Sequence, residues 1–329
     1  MQDDMQTVTL GATDLKVTPL AYGTWQFGGD WGPVDEGAAR EAIGCARSMG
    51  INFFDTAQAY GFGRSERLLG AALAHDLRSA RDSVVIATKG GLRMDGDRLV
   101  RDAGPAWLRK GVEASLEALG TDHIDLYQVH WPDPGTPIPD TAAALAELVR
   151  EGMIRHVGVS NYSPAQITEF ASVLPVATVQ PPYHLFRRDI EADLLPYAVA
   201  HRIGVLAYGP LAHGLLGGAL TEGTRFDSGD WRADHPAFTG PGFARNLDVV
   251  AALRAFAANR GVSVATLAVA WVLAHPAVQV AIVGARTPAH LTQNLGALDL
   301  TLTRCDLAEI DRIMTAAVPV GGPTPEGMA

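Results

Sequence analysis

Residues 83–130 read SVVIATKGGLRMDGDRLVRDAGPAWLRKGVEASLEALGTDHIDLYQVH. The stretch opens on the β-branched run SVVIATK and closes on a second apolar run, IDLYQVH. Between them Leu108, Val112, Leu116 and Leu119 recur at the three- and four-residue spacing of one helix face, and Gly120 stands where a helix C-cap is expected. A strand, a helix and a strand in this order predict two parallel strands, because only a crossover helix returns the chain to the same end of a sheet.

The same unit recurs on both sides of this stretch. Upstream lie PLAYGTW (19–25) and INFFDTA (51–57); downstream lie IRHVGVSN (154–161), ATVQPPY (177–183), GVLAYGP (204–210) and VQVAIVGAR (278–286). A helical segment follows each of them. Ala39, Ala42, Ile43, Ala46 and Met49 mark one such helix, and Leu145, Leu148 and Val149 mark another that ends near Gly152. Continuously apolar runs suit parallel strands buried on both faces. Eight units predict an α/β fold, the closed (β/α)8 TIM barrel, as one domain over residues 1–329.

Three segments fall outside the eight-fold count. Val8, Leu10, Leu15 and Val17 alternate around Gly11 and Asp14, which predicts an N-terminal β-hairpin over about 7–18 that plugs the N-terminal end of the barrel. Leu307, Ile310 and Ile313 predict an extra C-terminal helix over about 304–315. The segment from about 212 to 246 is rich in Gly and Asp and has no sustained period. A loop of that length in a compact domain is usually functional, and this one is expected to close over a cofactor.

Composition narrows the function classes. The chain has 329 residues, with 26 Lys and Arg against 36 Asp and Glu, and its net charge of −10 argues against nucleic acid as a partner. Hydrophobic residues make up 47% and charged residues 19%, the composition of a folded globular protein. Cys45 and Cys305 cannot build a disulfide framework, and no Cys-x-x-Cys or His-Glu-x-x-His spacing marks a metal site. The start, MQDDMQTVTL, has neither a basic n-region nor an apolar h-region, so a cytoplasmic location is expected. The apolar stretch 265–285 is interrupted by His275-Pro276 and divides into a helix-length piece and the β-rich VQVAIV, so no membrane span is expected.

In a parallel barrel the C-terminal strand ends converge on one mouth, where active sites form. The runs end there in Trp25, Asp55 followed by Tyr60, Lys89, His130 with Trp131, Ser160 with Asn161, Gln180, Tyr208 with Gly209, and Arg286 with Thr287. Asp55, Tyr60, Lys89 and His130 form a plausible general-acid unit. A lysine ammonium held by a carboxylate lowers a phenol pKa from about 10 toward neutrality, and a histidine beside it can orient a carbonyl oxygen. Gly61-Phe62-Gly63 lacks the third glycine and the preceding strand of a dinucleotide-binding fingerprint.

FFDTAQAYGFGRSERLLG, VVIATKGG, HIDLYQVHWPD, IRHVGVSNYSPAQ and IVGARTPAHLTQN together resemble the aldo-keto reductase family, over a span from the hairpin near Val8 to the helix near Met314. The resemblance implies a catalytic tetrad of Asp55, Tyr60, Lys89 and His130, with Tyr60 as general acid. It implies a nicotinamide cofactor held by Gly23, Thr24, Trp25 and Asp55 near the ribose and by Ser160, Asn161 and Gln180 at the carboxamide, with Tyr208 stacked on the ring. Gly209, Pro210, Leu211, Ala212, Gly214 and Leu215 would wrap the pyrophosphate. Gly284, Arg286, Thr287, His290, Gln293 and Asn294 would hold the adenosine end.

The residues themselves add a physical argument for that end. Thr287-Pro288 reads as an N-cap followed by proline at the first helical position, which makes an anion site beside Arg286. A guanidinium there can pair a 2′-phosphate bidentately, so NADP(H) is expected. His290 and Gln293 depart from the family pattern, and NAD(H) is retained as the alternative. Trp25, Tyr60, His130 and Trp131 are expected to line the substrate pocket, with Phe27, Trp31 and Trp231 extending an aromatic wall. Medium-sized neutral carbonyls are the expected substrates, and Arg187 and Arg188, close to the sixth run, leave a doubly anionic substrate open. The expected function is NADPH-dependent reduction of an aldehyde or ketone. A sugar or polyol dehydrogenase and an NADPH-sensing regulatory subunit are the alternatives.

Overall fold

The computed structural model describes residues 5–29, 31–227, 230–285 and 287–325. A short antiparallel hairpin opens the chain, β1 (Val8–Thr9) and β2 (Lys16–Val17). The barrel strands follow as β3 (Leu20–Gly23), β4 (Phe53–Asp55) and β5 (Val85–Gly90). A second hairpin, β6 (Leu92–Asp95) and β7 (Arg98–Arg101), precedes β8 (Ile124–Val129), β9 (Ile154–Ser160), β10 (Thr178–Gln180), β11 (Gly204–Tyr208) and β12 (Val280–Val283). Strands β3, β4, β5, β8, β9, β10, β11 and β12 pair in parallel around a closed barrel, one for each of the eight apolar runs. The fold is the (β/α)8 barrel that the repeated unit predicts.

The helices are α1 (Glu36–Ser48), α2 (Arg64–Ala72), α3 (Ala74–Ser79), α4 (Pro105–Leu119), α5 (Ile138–Arg150), α6 (Pro164–Ala171), α7 (Leu194–His201), α8 (Gly240–Ala258), α9 (Val264–Leu273), α10 (Pro288–Leu295) and α11 (Arg304–Met314). Their caps follow from local chemistry. Asp35 accepts from the Ala38 amide at the start of α1, and Gly120 ends α4 at φ 68°, a left-handed conformation that glycine adopts without a Cβ clash. The stretch 265–285 divides on either side of His275-Pro276 into helix α9 and the strand β12. Among the described residues no helix is long and apolar enough to cross a membrane.

Two apolar clusters hold the barrel. Leu10, Leu15 and Val17 of the N-terminal hairpin pack with Ala21, Phe53, Val85, Leu126, Leu206 and Val280 inside the barrel, so the hairpin plugs its N-terminal end. A larger cluster fills the layer between strands and helices, including Ile43 of α1, Val112 of α4 and Leu145 of α5. Close contact at the plug requires glycine: a Cβ on Gly11, at φ +55°, would stand 2.5 Å from the Gly204 amide nitrogen.

Two elements differ from the sequence reading. The β6–β7 hairpin turns at Gly96-Asp97 inside a stretch whose alternating charges masked its strands. Helix α8 begins at Gly240 with Pro241 in its first turn, six residues before the end of the segment read as aperiodic. Phe243, Asn246, Val249 and Val250 supply its buried side.

Candidate active site

The C-terminal mouth of the barrel opens into a cavity of about 500 Å³. Asp55 is the last residue of β4, Lys89 the penultimate residue of β5, and His130 the residue after β8, three neighbouring strands. Tyr60 lies between β4 and α2 and is folded back by left-handed residues at Gly61, Phe62 and Gly63. A Cβ on Gly61 would stand 2.6 Å from the Gly28 carbonyl oxygen, so this G-x-G serves the close approach of two loops.

Lys89 Nζ donates to Asp55 Oδ1 at 2.5 Å, to the Thr56 carbonyl at 2.9 Å and to Tyr60 Oη at 3.4 Å. Asp55 Oδ2 accepts from Gln180 Nε2 at 2.9 Å and from Gln128 Nε2 at 3.5 Å. Both members of the ion pair are buried. Burial pulls the lysine pKa down, and the charge and hydrogen bond of Asp55, aided by Glu66, oppose it. The His130 ring stands edge-on to Tyr60, with centroids 5.7 Å apart. Burial and the Lys89 charge push its pKa well below the usual histidine range, so the imidazole is neutral at pH 7.

A second layer fixes the far wall. Ser160 Oγ donates to the Gln180 carbonyl at 2.8 Å, and Asn161, at φ 62°, donates to the His130 carbonyl at 3.1 Å and accepts from Tyr208 Oη at 3.0 Å. Gly23, Thr24, Trp25, Gly209, Pro210, Leu211, Gly214, Gly284 and His290 share the cavity with these side chains and with Trp131. Ala212 and Leu215 belong to the same loop, but both are buried in the core. Thr287 caps α10 by accepting from the His290 amide at 3.3 Å. Gln293 and Asn294 lie further along that helix, and the Asn294 amide nitrogen is buried with no hydrogen-bond partner among the described residues. Arg286 lies outside the described residues.

The family model for the aldo/keto reductase family matches residues 19–315. The chain belongs to this family. Aldo-keto reductases are oxidoreductases that use nicotinamide cofactors, and the same description holds for this chain. It is similar to the aldo-keto reductase YhdN of Bacillus subtilis, 42% identical over 99% of this chain and 98% of that protein. It is 34% identical to an NADH-specific methylglyoxal reductase of Escherichia coli, over 95% and 99% of the two chains. Among solved structures, a glycerol dehydrogenase of Gluconobacter oxydans superposes with a TM-score of 0.87 at 40% identity, over 98% of each chain.

Several lining residues of this aldo-keto reductase escaped the sequence reading. Leu92, Met94, Asp97 and Leu99 come from the β6–β7 hairpin, whose two-residue Gly96-Asp97 turn is the signal that could have exposed it. His213 lies between Ala212 and Gly214 in the loop that the resemblance assigned to the pyrophosphate, and presents its ring edge-on to Trp25 and Trp231. Gly322 and Pro323, beyond the last helix, also reach the cavity. The aromatic wall is narrower than expected. Trp25, Trp31 and Trp131 line it, while Trp231 stacks behind Trp25 at 6.5 Å and Phe27 is buried against Tyr22. Arg188 is held by Glu191 at 2.8 Å and Asp311 at 2.6 Å, and neither it nor Arg187 lines the cavity.

Proposed function

We propose that this aldo-keto reductase reduces aldehydes or ketones to alcohols with NADPH, and that Tyr60, Lys89, Asp55 and His130 carry the proton side of the reaction. The observation that carries the reading is the position of Lys89 Nζ, 2.5 Å from the Asp55 carboxylate and 3.4 Å from the Tyr60 hydroxyl. The nicotinamide, when bound, supplies a hydride to the carbonyl carbon. Tyr60 then gives its phenolic proton to the carbonyl oxygen, so that hydride and proton together convert C=O to CH–OH. The phenolate left behind is stabilised by the Lys89 ammonium, whose charge Asp55 maintains against burial. Neutral His130 has one ring N–H to donate and can hold the carbonyl oxygen toward Tyr60.

The residues around the cavity fit a dinucleotide. Glycines at 23, 209, 214 and 284 let backbone approach a ligand closely. Ala212, His213 and Gly214 are consecutive left-handed residues that turn this loop tightly, with the Ala212 amide donating to the Gly209 carbonyl and the Gly214 amide to the Leu211 carbonyl, so the loop keeps a fixed shape at the cavity. Asn294 offers its buried amide nitrogen to the adenine end. The preference for NADPH over NADH rests on Arg286 beside the capped start of α10. A panel of aldehydes, ketones and sugars, followed by NADPH or NADH absorbance, tests the reading with Tyr60→Phe as control. Loss of about 10²–10⁴-fold in kcat with unchanged cofactor affinity is expected for Tyr60→Phe. Unchanged turnover would remove Tyr60 from the general-acid role.

A further inference from the structure

Four large apolar side chains stand exposed among the described residues, and two of them, Phe62 and Met94, line the mouth of the active-site cavity. Exposed apolar groups gathered at a concave site mark a surface that a ligand covers. Met94 belongs to the β6–β7 hairpin, whose register pairs Leu92 with Arg101, Arg93 with Val100, Met94 with Leu99 and Asp95 with Arg98. Side chains alternate across such a ribbon. Leu92, Met94 and Leu99 line the cavity, whereas Arg93, Asp95, Arg98 and Val100 do not. The outward set is tied up in ion pairs, Arg93 with Asp102 at 2.8 Å and Arg98 with Asp95 at 3.9 Å.

The one cation in the inward register is withdrawn from the cavity. Arg101 places its guanidinium 5.0 Å from the Trp131 ring and donates to the Pro132 carbonyl at 3.0 Å. That leaves Asp97, at the turn, as the polar side chain that the hairpin offers to the cavity. An isolated two-stranded ribbon is only marginally stable, so this one needs anchors. They are present: Trp107 Nε1 donates to the Leu92 carbonyl at 3.1 Å, and the Asp102 amide donates to the Gly91 carbonyl at 2.9 Å. The ribbon is thus a fixed apolar wall beside the mouth.

We propose that the hairpin Leu92–Arg101 is the wall of a substrate-tail subsite, and that the carbonyl compound taken by this enzyme carries an alkyl chain or aromatic ring that lies against Met94 and Leu99. The inference rests on the carbonyl-reductase reading and sharpens its substrate class. A short polyhydroxylated substrate would leave Met94 uncovered and set its hydroxyls against a face that offers few hydrogen-bond partners.

The test compares kcat/KM for propanal and hexanal in the wild type, in Met94→Ser/Leu99→Ser and in Val100→Ser, whose side chain is on the other face. The wild type should favour hexanal by at least about tenfold, since each methylene against an apolar wall adds discrimination. The ratio should fall below about threefold in the double variant and persist in Val100→Ser. Single Met94→Gln gives the same reading if the double variant misfolds. Equal kcat/KM for the two aldehydes in the wild type, or an unchanged ratio in the serine variant, overturns the subsite. A parallel titration of the NADPH-loaded protein with 1-propanol and 1-hexanol, a pairing with no hydride acceptor, reads binding by tryptophan fluorescence without turnover. Tighter hexanol binding in a protein that reduces no carbonyl would support the subsite and overturn the carbonyl-reductase reading.

Discussion

Lys89 Nζ stands 2.5 Å from Asp55 Oδ1, and both side chains are sealed from water, at 1% and 4% exposure. A buried ion pair is weak as a source of stability but costly to break, because the remaining charge has no solvent to turn to. Here the partners left for Asp55 after loss of Lys89 are the amides of Gln180 and Gln128, and those left for Lys89 after loss of Asp55 are the Thr56 carbonyl and the Tyr60 hydroxyl. The two ends of the pair therefore serve different purposes, charge supply at Lys89 and charge retention at Asp55.

Lys89→Met is expected to destabilise the fold by about 3–5 kcal/mol, as measured by urea denaturation at pH 7. Adding Asp55→Asn should recover most of that loss while leaving turnover abolished, since the phenolate is still without its cation. A Lys89→Met protein as stable as the wild type would mean that the pair is not ionised in the fold.

A second expectation concerns the segment 230–238, whose Trp231 packs against Trp25 and Trp31 beside the mouth. Arg232 donates to Asp230 at 2.6 Å and to the His213 carbonyl at 3.0 Å, and its guanidinium lies 4.7 Å from the Trp31 ring and 4.4 Å from the Phe226 ring. It ties segment 230–238 to the loop proposed for the pyrophosphate. Arg232→Ala should raise the release rate of bound NADP(H) several-fold in stopped-flow fluorescence, and kcat should rise with it if release limits turnover. An unchanged release rate would show that this segment does not retain cofactor.

How much of this could be read beforehand depends on what each residue faces. Barrel strands announce themselves because both of their faces are buried, so VVIAT carries only apolar and β-branched side chains, and DLYQV sets Leu126, Tyr127 and Val129 around the polar Asp125 and Gln128. Asp55, Lys89 and His130 stand out because each interrupts or ends such a run. The β6–β7 ribbon was hidden for the opposite reason: Leu92, Met94 and Leu99 face a cavity and not the core, and the charged residues between them dilute the alternation. Gln128 was lost inside its own strand, where polarity looks incidental until Asp55 is seen across the barrel. Ala212 and Leu215 share a motif with cavity-lining glycines, yet their left-handed neighbourhood turns them into the core, a consequence of backbone dihedrals that composition does not report.

Acid should destabilise the protein through its buried histidines. Burial, aided by nearby cations, depresses His130 and His184 well below the ordinary histidine range and brings His213 to about 3. A depressed folded-state pKa means that the unfolded chain binds the extra proton first, at about 6.5, so this stability is present above that pH and is lost as pH falls toward the folded value. Each such histidine should cost about 1.4 kcal/mol between pH 7.5 and 5.5. His184→Phe, which keeps an aromatic ring against His213, should reduce the pH dependence of the unfolding free energy by about that amount. An unaltered pH slope would mean that His184 is protonated in the fold.

The adenosine end sets the last expectation. Thr287 accepts from the His290 amide and Pro288 opens α10, so the helix presents its unpaired amides at the point where Arg286 enters the sequence. A bidentate guanidinium–phosphate pair contributes about 1.5–3 kcal/mol, which corresponds to roughly 10–100-fold in affinity. Arg286→Ala should therefore raise KM for NADPH by about that factor, while KM for NADH, which has no 2′-phosphate, changes by less than about twofold. Arg286→Lys keeps the charge but not the fork, and should fall between wild type and alanine. Equal effects of Arg286→Ala on the two cofactors would show that Arg286 does not read the 2′ position. The cavity residue His290, at the same helix end, would then be the next side chain to replace.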